Sequence, residues 1–232
     1  MTLRAVFFIS SHCFNCAAKV VDFLEISCID CQKWVTLHIY FNLKQQEMKF
    51  IEQDIKGVWV IEPNRFGDQR GYFSEVFKQA TFDKHVGHVD FVQDNESFST
   101  RGVLRGLHFQ RGEWSQAKLV RVSRGTVLDV AVDLRNGSPT WGKHIAVELS
   151  AETGRQLFIP KGFAHGFVVL SDEAQFQYKV DNVYAPQSEA TLRFDDPALG
   201  IDWRIDSSEM VLSEKDLRGH SIDEMTPEFL GF

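Results

Sequence analysis

Cysteine stops early in this chain. The 232 residues contain four, Cys13, Cys16, Cys28 and Cys31, and none follows Cys31. A body without cysteine has no disulfides, so it must hold itself together by a hydrophobic core. The 44% hydrophobic content is enough for one. Long apolar runs are also missing. None approaches the ~18–20 residues needed to span a bilayer, so no membrane partner is expected. Positive charge is in deficit, with 25 Lys and Arg against 32 Asp and Glu and a net charge of −7. That excludes a general nucleic-acid binder, which needs clustered cations, but leaves room for a small anionic ligand in a local basic pocket. There is no Gly-x-Gly-x-x-Gly fingerprint, no P-loop, no heptad array and no internal repeat.

The front of the chain stands apart. CFNC (13–16) and CIDC (28–31) are two C-x-x-C pairs separated by eleven residues, an arrangement that resembles a thiolate zinc site with a shorter gap than usual. The other reading is a leader outside the working protein, because Met48 opens MKFIEQDIKGVWVIEP like a natural start. The run AVFFIS is too short for a secretory signal, and Ser-Ser-His interrupts it. The expected organisation is an extension over 1–47 and one domain over 48–232, in the cytoplasm.

From Met48 onward, short β-type runs alternate with turns. The expected strands are 58–63, 71–77, 90–98, 102–110, 117–134 with a turn at Arg124-Gly125, 144–150, 155–160, 166–170, 174–180 and 190–194. A spacing near ten residues with Gly, Asn-Gly and Ser-Pro between the runs is the signature of a sandwich or barrel. One short helix is expected over 78–86 and a looser one after Leu212.

Alternation says which side chains share a face. In AQFQYKV, Phe176, Tyr178 and Val180 oppose Gln175, Gln177 and Lys179. In KGFAHGFVV, His165 stands in a row with Phe163, Phe167 and Val169; in AKLVRV, Lys118 shares parity with Val120 and Val122. Each alone is an ordinary core residue. Several polar groups on apolar strand faces instead suggest a pocket inside a barrel. A histidine can accept a proton at neutral pH, a tyrosine can donate one and a lysine can stabilise an oxyanion. Together they suit proton abstraction beside a carbonyl, followed by reprotonation.

Metal is the competing use of the histidines. PKGFAH (160–165) has the Pro-x-Gly-x-x-His form of a second cupin motif, but His108 is followed by Phe109 and Gln110, so the His-x-His of metal-binding cupins is absent. No metal and no cofactor is expected.

Seven stretches, FGDQRGYFSE (66–75), FVQDN (91–95), VLRGLHFQ (103–110), AKLVRV (117–122), VLDVAVDLR (127–135), IPKGFAHGF (159–167) and FQYK (176–179), resemble the dTDP-4-dehydrorhamnose 3,5-epimerase family. The resemblance runs from about Met48 to Lys215. It implies an all-β cupin or jelly-roll barrel with a few short peripheral helices, a homodimer, and a dTDP-4-keto-6-deoxy sugar as substrate. It further implies that His108 is the base, Asp216 its paired carboxylate, Tyr178 the acid and Lys118 the cation facing the enolate oxygen. Arg105 and His165 resemble substrate contacts, as do Arg70, Glu75, Gln93, Asn95, Glu189 and Lys215; Tyr184 matches an aromatic that stacks on thymine. The alternatives are a relative acting at one carbon or isomerising the keto group, and a silent cupin that only binds a nucleotide sugar.

Strict alternation puts Arg105 and His108 on opposite faces of RGVLRGLHFQ. If both serve one pocket, the strand must bulge near Gly106.

Overall fold

A computed structural model of the chain describes residues 48–231. The two C-x-x-C pairs lie outside the described residues. Among the described residues the strands are β1 (Lys49–Glu52), β2 (Trp59–Glu62), β3 (Phe66–Asp68), β4 (Gly71–Phe73), β5 (Gln93–Thr100), β6 (Leu104–Gln110) and β7 (Lys118–Arg124). They continue as β8 (Thr126–Asp133), β9 (His144–Ser150), β10 (Gln156–Ile159), β11 (Phe163–Val169), β12 (Glu173–Val180) and β13 (Glu189–Thr191). The helices are α1 (Gln79–His85) and α2 (Pro227–Leu230).

The strands form a six-stranded sheet in the order β1-β2-β10-β7-β12-β5, a five-stranded sheet in the order β13-β6-β11-β8-β9, and the small hairpin β3-β4. Every ladder in them is antiparallel. The two large sheets face one another as a jelly roll of the cupin type, the expected fold. Alternation sorts each strand between this inner space and an outer layer. Val120, Val122 and Phe176 of one sheet meet Val127, Ala131, Phe163 and Phe167 of the other inside. The Phe167 and Phe176 rings stack at 4.1 Å between the sheets.

Two outer layers close the backs. Leu128, Val130 and Val132, the opposite face of β8, pack against Trp203, Met225 and Leu230 of the tail. Ile61, Leu119 and Phe158 pack against Phe82 of α1. Because the tail covers its back, all seven residues of β11 are buried. Each fully buried Leu, Val or Phe contributes about 1.5–3 kcal/mol relative to exposure.

Three segments depart from the expected pattern. The run 71–77 is extended only as far as Phe73, and beyond it side-chain bonds replace a ladder. Ser74 donates to the carbonyl of Asn64, and Gln156 donates to that of Val76. The tail makes short 3-10 turns at Asp216–Arg218 and Ile222–Glu224, then the single-turn α2, rather than one loose helix. Gly219 runs extended there, packed on the backbone of Leu192 and Arg193. Strand β1 gave no signal in its sequence, since KFIE is mostly exposed.

The bulge is present. Across β6 and β11, His165 is paired with His108 and Phe167 with Arg105, so one residue of β11, Gly166, opposes two of β6, Gly106 and Leu107. Gly106 takes φ +140°, and a Cβ there would lie 2.5 Å from the Cα of Gly166. A Cβ on Gly166 would lie 2.6 Å from the carbonyl oxygen of Arg105. Backbone meets backbone, so neither strand can yield by rotating a side chain. Gly166→Ala is therefore expected to lower unfolding stability by about 1–3 kcal/mol, read as a lower denaturant midpoint. An unchanged midpoint would contradict this close approach.

Candidate active site

The facing sheets enclose a cavity of about 230 Å³. His108 of β6 and His165 of β11 line it from the five-stranded sheet; Lys118 of β7 and Tyr178 of β12 line it from the six-stranded sheet. Phe167 and Phe176 give it an apolar side, while Arg105, Tyr184 and Glu189 stand nearer the surface.

Behind His108 lies a buried carboxylate. Nε2 of His108 is 2.7 Å from Oδ1 of Asp216, close enough for an ion pair although off the line of a straight hydrogen bond. Asp216 also accepts from the backbone N–H of Gly106 (3.2 Å), the N–H of Ser213 (3.1 Å) and the Ser213 hydroxyl (2.5 Å). Burial alone would raise its pKa. The bonds from His108 and Ser213, the histidine's charge and the Gly106 N–H outweigh this and hold it at about 2. The 3-10 turn at Asp216–Arg218 thus ties the tail to the bulge that aims His108.

On the opposite wall, Lys118 is buried and its Nζ donates to the carbonyl of His108 at 3.4 Å. Desolvation pulls its ammonium down to about 8, against the opposing charges of Asp129 and Glu189; Lys215 pushes the same way as burial. Tyr178 is half-buried beside Phe176. Burial raises its phenol, the charge of Arg105 works against this, and Glu189 adds to it. At neutral pH the phenol therefore keeps its proton. His165 packs its Nε2 at 3.0 Å from both oxygens of Asp129, and burial pushes its pKa down.

Nearer the surface, Arg105 donates from Nε to the Ser99 hydroxyl at 3.1 Å, leaving the rest of its guanidinium fork free for an anion. Tyr184 is exposed and donates its hydroxyl to Glu189 at 2.9 Å, while Lys215 forms an ion pair with Glu189. Glu189 is held below the usual carboxylate range: burial would raise it, and Lys215 and Tyr184 more than compensate. Asn95 and Gln93 stand opposite Tyr178 and Val180 across the β5–β12 ladder, which puts them on the inner face beside the cavity. Gln93 donates to Asn95 at 2.7 Å.

Two of the expected residues stand apart from this group. Arg70, at the turn of the β3–β4 hairpin, is exposed and paired with Asp68; Glu75 is also exposed, and neither lines the cavity. One residue was missed. Asp129 is fully buried behind His165, and its signal was there to read: an acid within VLDVAV at the parity of Val127 and Ala131. Among the described residues, no group of three or more His, Cys, Asp or Glu is arranged to hold a metal ion.

Comparison with known proteins agrees with this geometry. The profile of the family described as dTDP-4-dehydrorhamnose 3,5-epimerase matches residues 52–224. The chain is 51% identical over 179 residues to dTDP-4-dehydrorhamnose 3,5-epimerase of Escherichia coli, spanning 77% of this chain and 96% of the relative. It is 52% identical over 171 residues to the protein of that name from Methanothermobacter thermautotrophicus, spanning 73% and 92%. Among solved structures it resembles dTDP-6-deoxy-D-glucose-3,5-epimerase from Legionella pneumophila in complex with dTDP-4-keto-L-rhamnose, at 46% identity and a TM-score of 0.76, over 79% of this chain and 97% of that one. It also resembles a 3'-monoepimerase from Streptomyces bikiniensis in complex with dTDP-quinovose, at 35% identity and a TM-score of 0.71, over 78% and 91%. On the family profile and these identities, the chain belongs to the dTDP-4-dehydrorhamnose 3,5-epimerase family.

Proposed function

We propose that this chain epimerises dTDP-4-dehydro-6-deoxy-D-glucose at C3 and C5 to dTDP-4-dehydro-L-rhamnose, through enolates formed within its cavity. The observation that carries the reading is that His108 and Tyr178 stand on opposing sheets and line one hollow. A hexose between them presents one face to an imidazole and the other to a phenol. Inversion at carbon needs this arrangement: a proton leaves one face and another arrives on the opposite one.

Each step has its residue. His108 removes the proton next to the C4 ketone, and the Asp216 carboxylate behind it stabilises the imidazolium that forms. Negative charge moves onto the C4 oxygen, where the Lys118 ammonium in a water-poor site stabilises it. Tyr178 then delivers its proton to the far side of the carbon, and solvent resets both groups. Arg105 and Lys215 offer cations to the diphosphate, and Tyr184 offers an exposed ring to the base. His165 and Glu189 complete the polar lining, and Gln93 and Asn95 stand on the neighbouring strand opposite Val180 and Tyr178.

A second reading, epimerisation at a single carbon, is favoured by the likeness to the 3'-monoepimerase; the same base and acid would serve it.

The chain acts as a homodimer in this account. Phe66, Tyr72 and Phe73 on the β3–β4 hairpin are 56%, 62% and 69% exposed, an apolar surface suited to a second copy. Arg70 and Glu75 then serve substrate only by reaching a neighbour's cavity. A cytoplasmic setting follows from the soluble nucleotide-sugar substrate.

His108→Asn is expected to lower kcat by about 10²–10⁴-fold while a binding titration shows the substrate still held. Tyr178→Phe should also lose turnover with binding retained. Turnover near the native level in either variant would overturn the assignment of base or acid. Because the working form of Lys118 is the ammonium and its pKa is about 8, kcat/KM should fall as pH rises through about 8. Lys118→Arg, which stays charged, should abolish that alkaline limb. A limb that survives the substitution would contradict the role of Lys118.

A further inference from the structure

Strand β8 carries two buried acids that the scheme above does not use: Asp133 is paired with Arg135, and Asp129 stands deeper in the barrel. Val127 and Ala131 belong to the inner apolar cluster, and Asp129 has the same parity, so it points inward between them. It is fully buried, with a relative exposure of 0%. A carboxylate withdrawn from water is strongly disfavoured unless it is paired and hydrogen-bonded.

Its immediate partner is His165, whose Nε2 lies 3.0 Å from both carboxylate oxygens. One N–H shared between two oxygens satisfies hydrogen bonding but supplies no charge. Burial pushes the His165 imidazole down, so at neutral pH it stays uncharged. The buried cation in their surroundings is Lys118, which lines the cavity together with His165. The negative charge of Asp129 favours the protonated form of both Lys118 and His165, and the charge of Lys118 in turn disfavours protonation of His165. The three side chains are thus one electrostatic unit beneath the cavity.

We propose that Asp129 is a positioning residue for the epimerisation, fixing the His165 ring through its Nε2 and holding Lys118 as an ammonium at the cavity wall. The proposal rests on the role given to Lys118 above. Groups from every side bear on that lysine: the His108 carbonyl from β6, His165 from β11, Tyr178 from β12, Glu189 from β13, Lys215 from the tail and Asp129 from β8. Of the two carboxylates, Glu189 is already paired with Lys215 and bonded by Tyr184. Asp129 is the one whose charge Lys118 chiefly balances. Without it, desolvation meets less opposition and the lysine loses its proton at lower pH.

The test is Asp129→Asn, which keeps the shape and an acceptor but removes the charge. At about pH 7.5 its kcat should fall about threefold or more with KM nearly unchanged. The alkaline half-point of kcat/KM should move down by about one pH unit or more. In a Lys118→Arg background, where the cation cannot be lost, the same substitution should move no half-point. An active Asp129→Asn enzyme whose half-point stays in place, whatever its stability, would overturn the proposal. A measurement on the native chain does not depend on the variant folding: nitrogen chemical shifts should show His165 protonated at Nε2 at neutral pH. Protonation at Nδ1 alone would leave Asp129 without its donor and overturn the proposal too. Absence of turnover by the native chain would overturn the functional reading itself, a result distinct from an unmoved half-point in an active enzyme.

Discussion

Two antiparallel sheets packed face to face stand about 10 Å apart, and that spacing governs the chemistry here. Where both inner faces carry large apolar side chains the gap fills, as it does around the stacked Phe167 and Phe176 rings. Where they carry His108, His165, Lys118 and Tyr178 a hollow remains, walled by groups that can exchange protons. Because the walls belong to different sheets, His108 and Tyr178 face the hollow from opposite sides. The fold supplies the stereochemistry; the side chains supply the proton affinities.

The floor of this hollow is withdrawn from water, and that sets its second rule: charge there must be answered. Each cavity histidine has a carboxylate behind it, Asp216 for His108 and Asp129 for His165. The two pairs differ in their surroundings. Asp216 is held ionised by His108 in front of it, the Ser213 hydroxyl and the Gly106 N–H. Asp129 sits among Val127 and Ala131 and must look across the cavity for positive charge. One carboxylate therefore supports a base and the other supports a cation, a division made by environment rather than residue type.

Much of this was legible in the sequence, for physical reasons that differ from place to place. Strand β12 announced its inner face because Phe176, Tyr178 and Val180 alternate with polar residues that meet solvent. The bulge was implied by Gly106 between Arg105 and His108, since only an extra residue lets both face one hollow. Strand β11 was harder: with both faces covered it has no polar alternation to read, and His165 was found through its motif. Asp129 was overlooked for a related reason, because a strand buried on both sides hides an inward acid among apolar neighbours. The tail was misread as a helix because its short turns are shaped by contacts with β13 and the bulge, remote in sequence. Arg70 and Glu75 were named by resemblance alone, and their hairpin stands clear of the cavity.

The most direct test of the opposed-wall account is to run the native chain with the dTDP-4-keto-6-deoxy sugar in deuterium oxide and follow the sugar protons by NMR. If an imidazole takes a proton from one face and a phenol returns one to the other, solvent deuterium enters at both C3 and C5 in the inverted product. Deuterium at one carbon only would select the narrower activity. Inverted product without any deuterium, or no exchange at all, would contradict the enolate account.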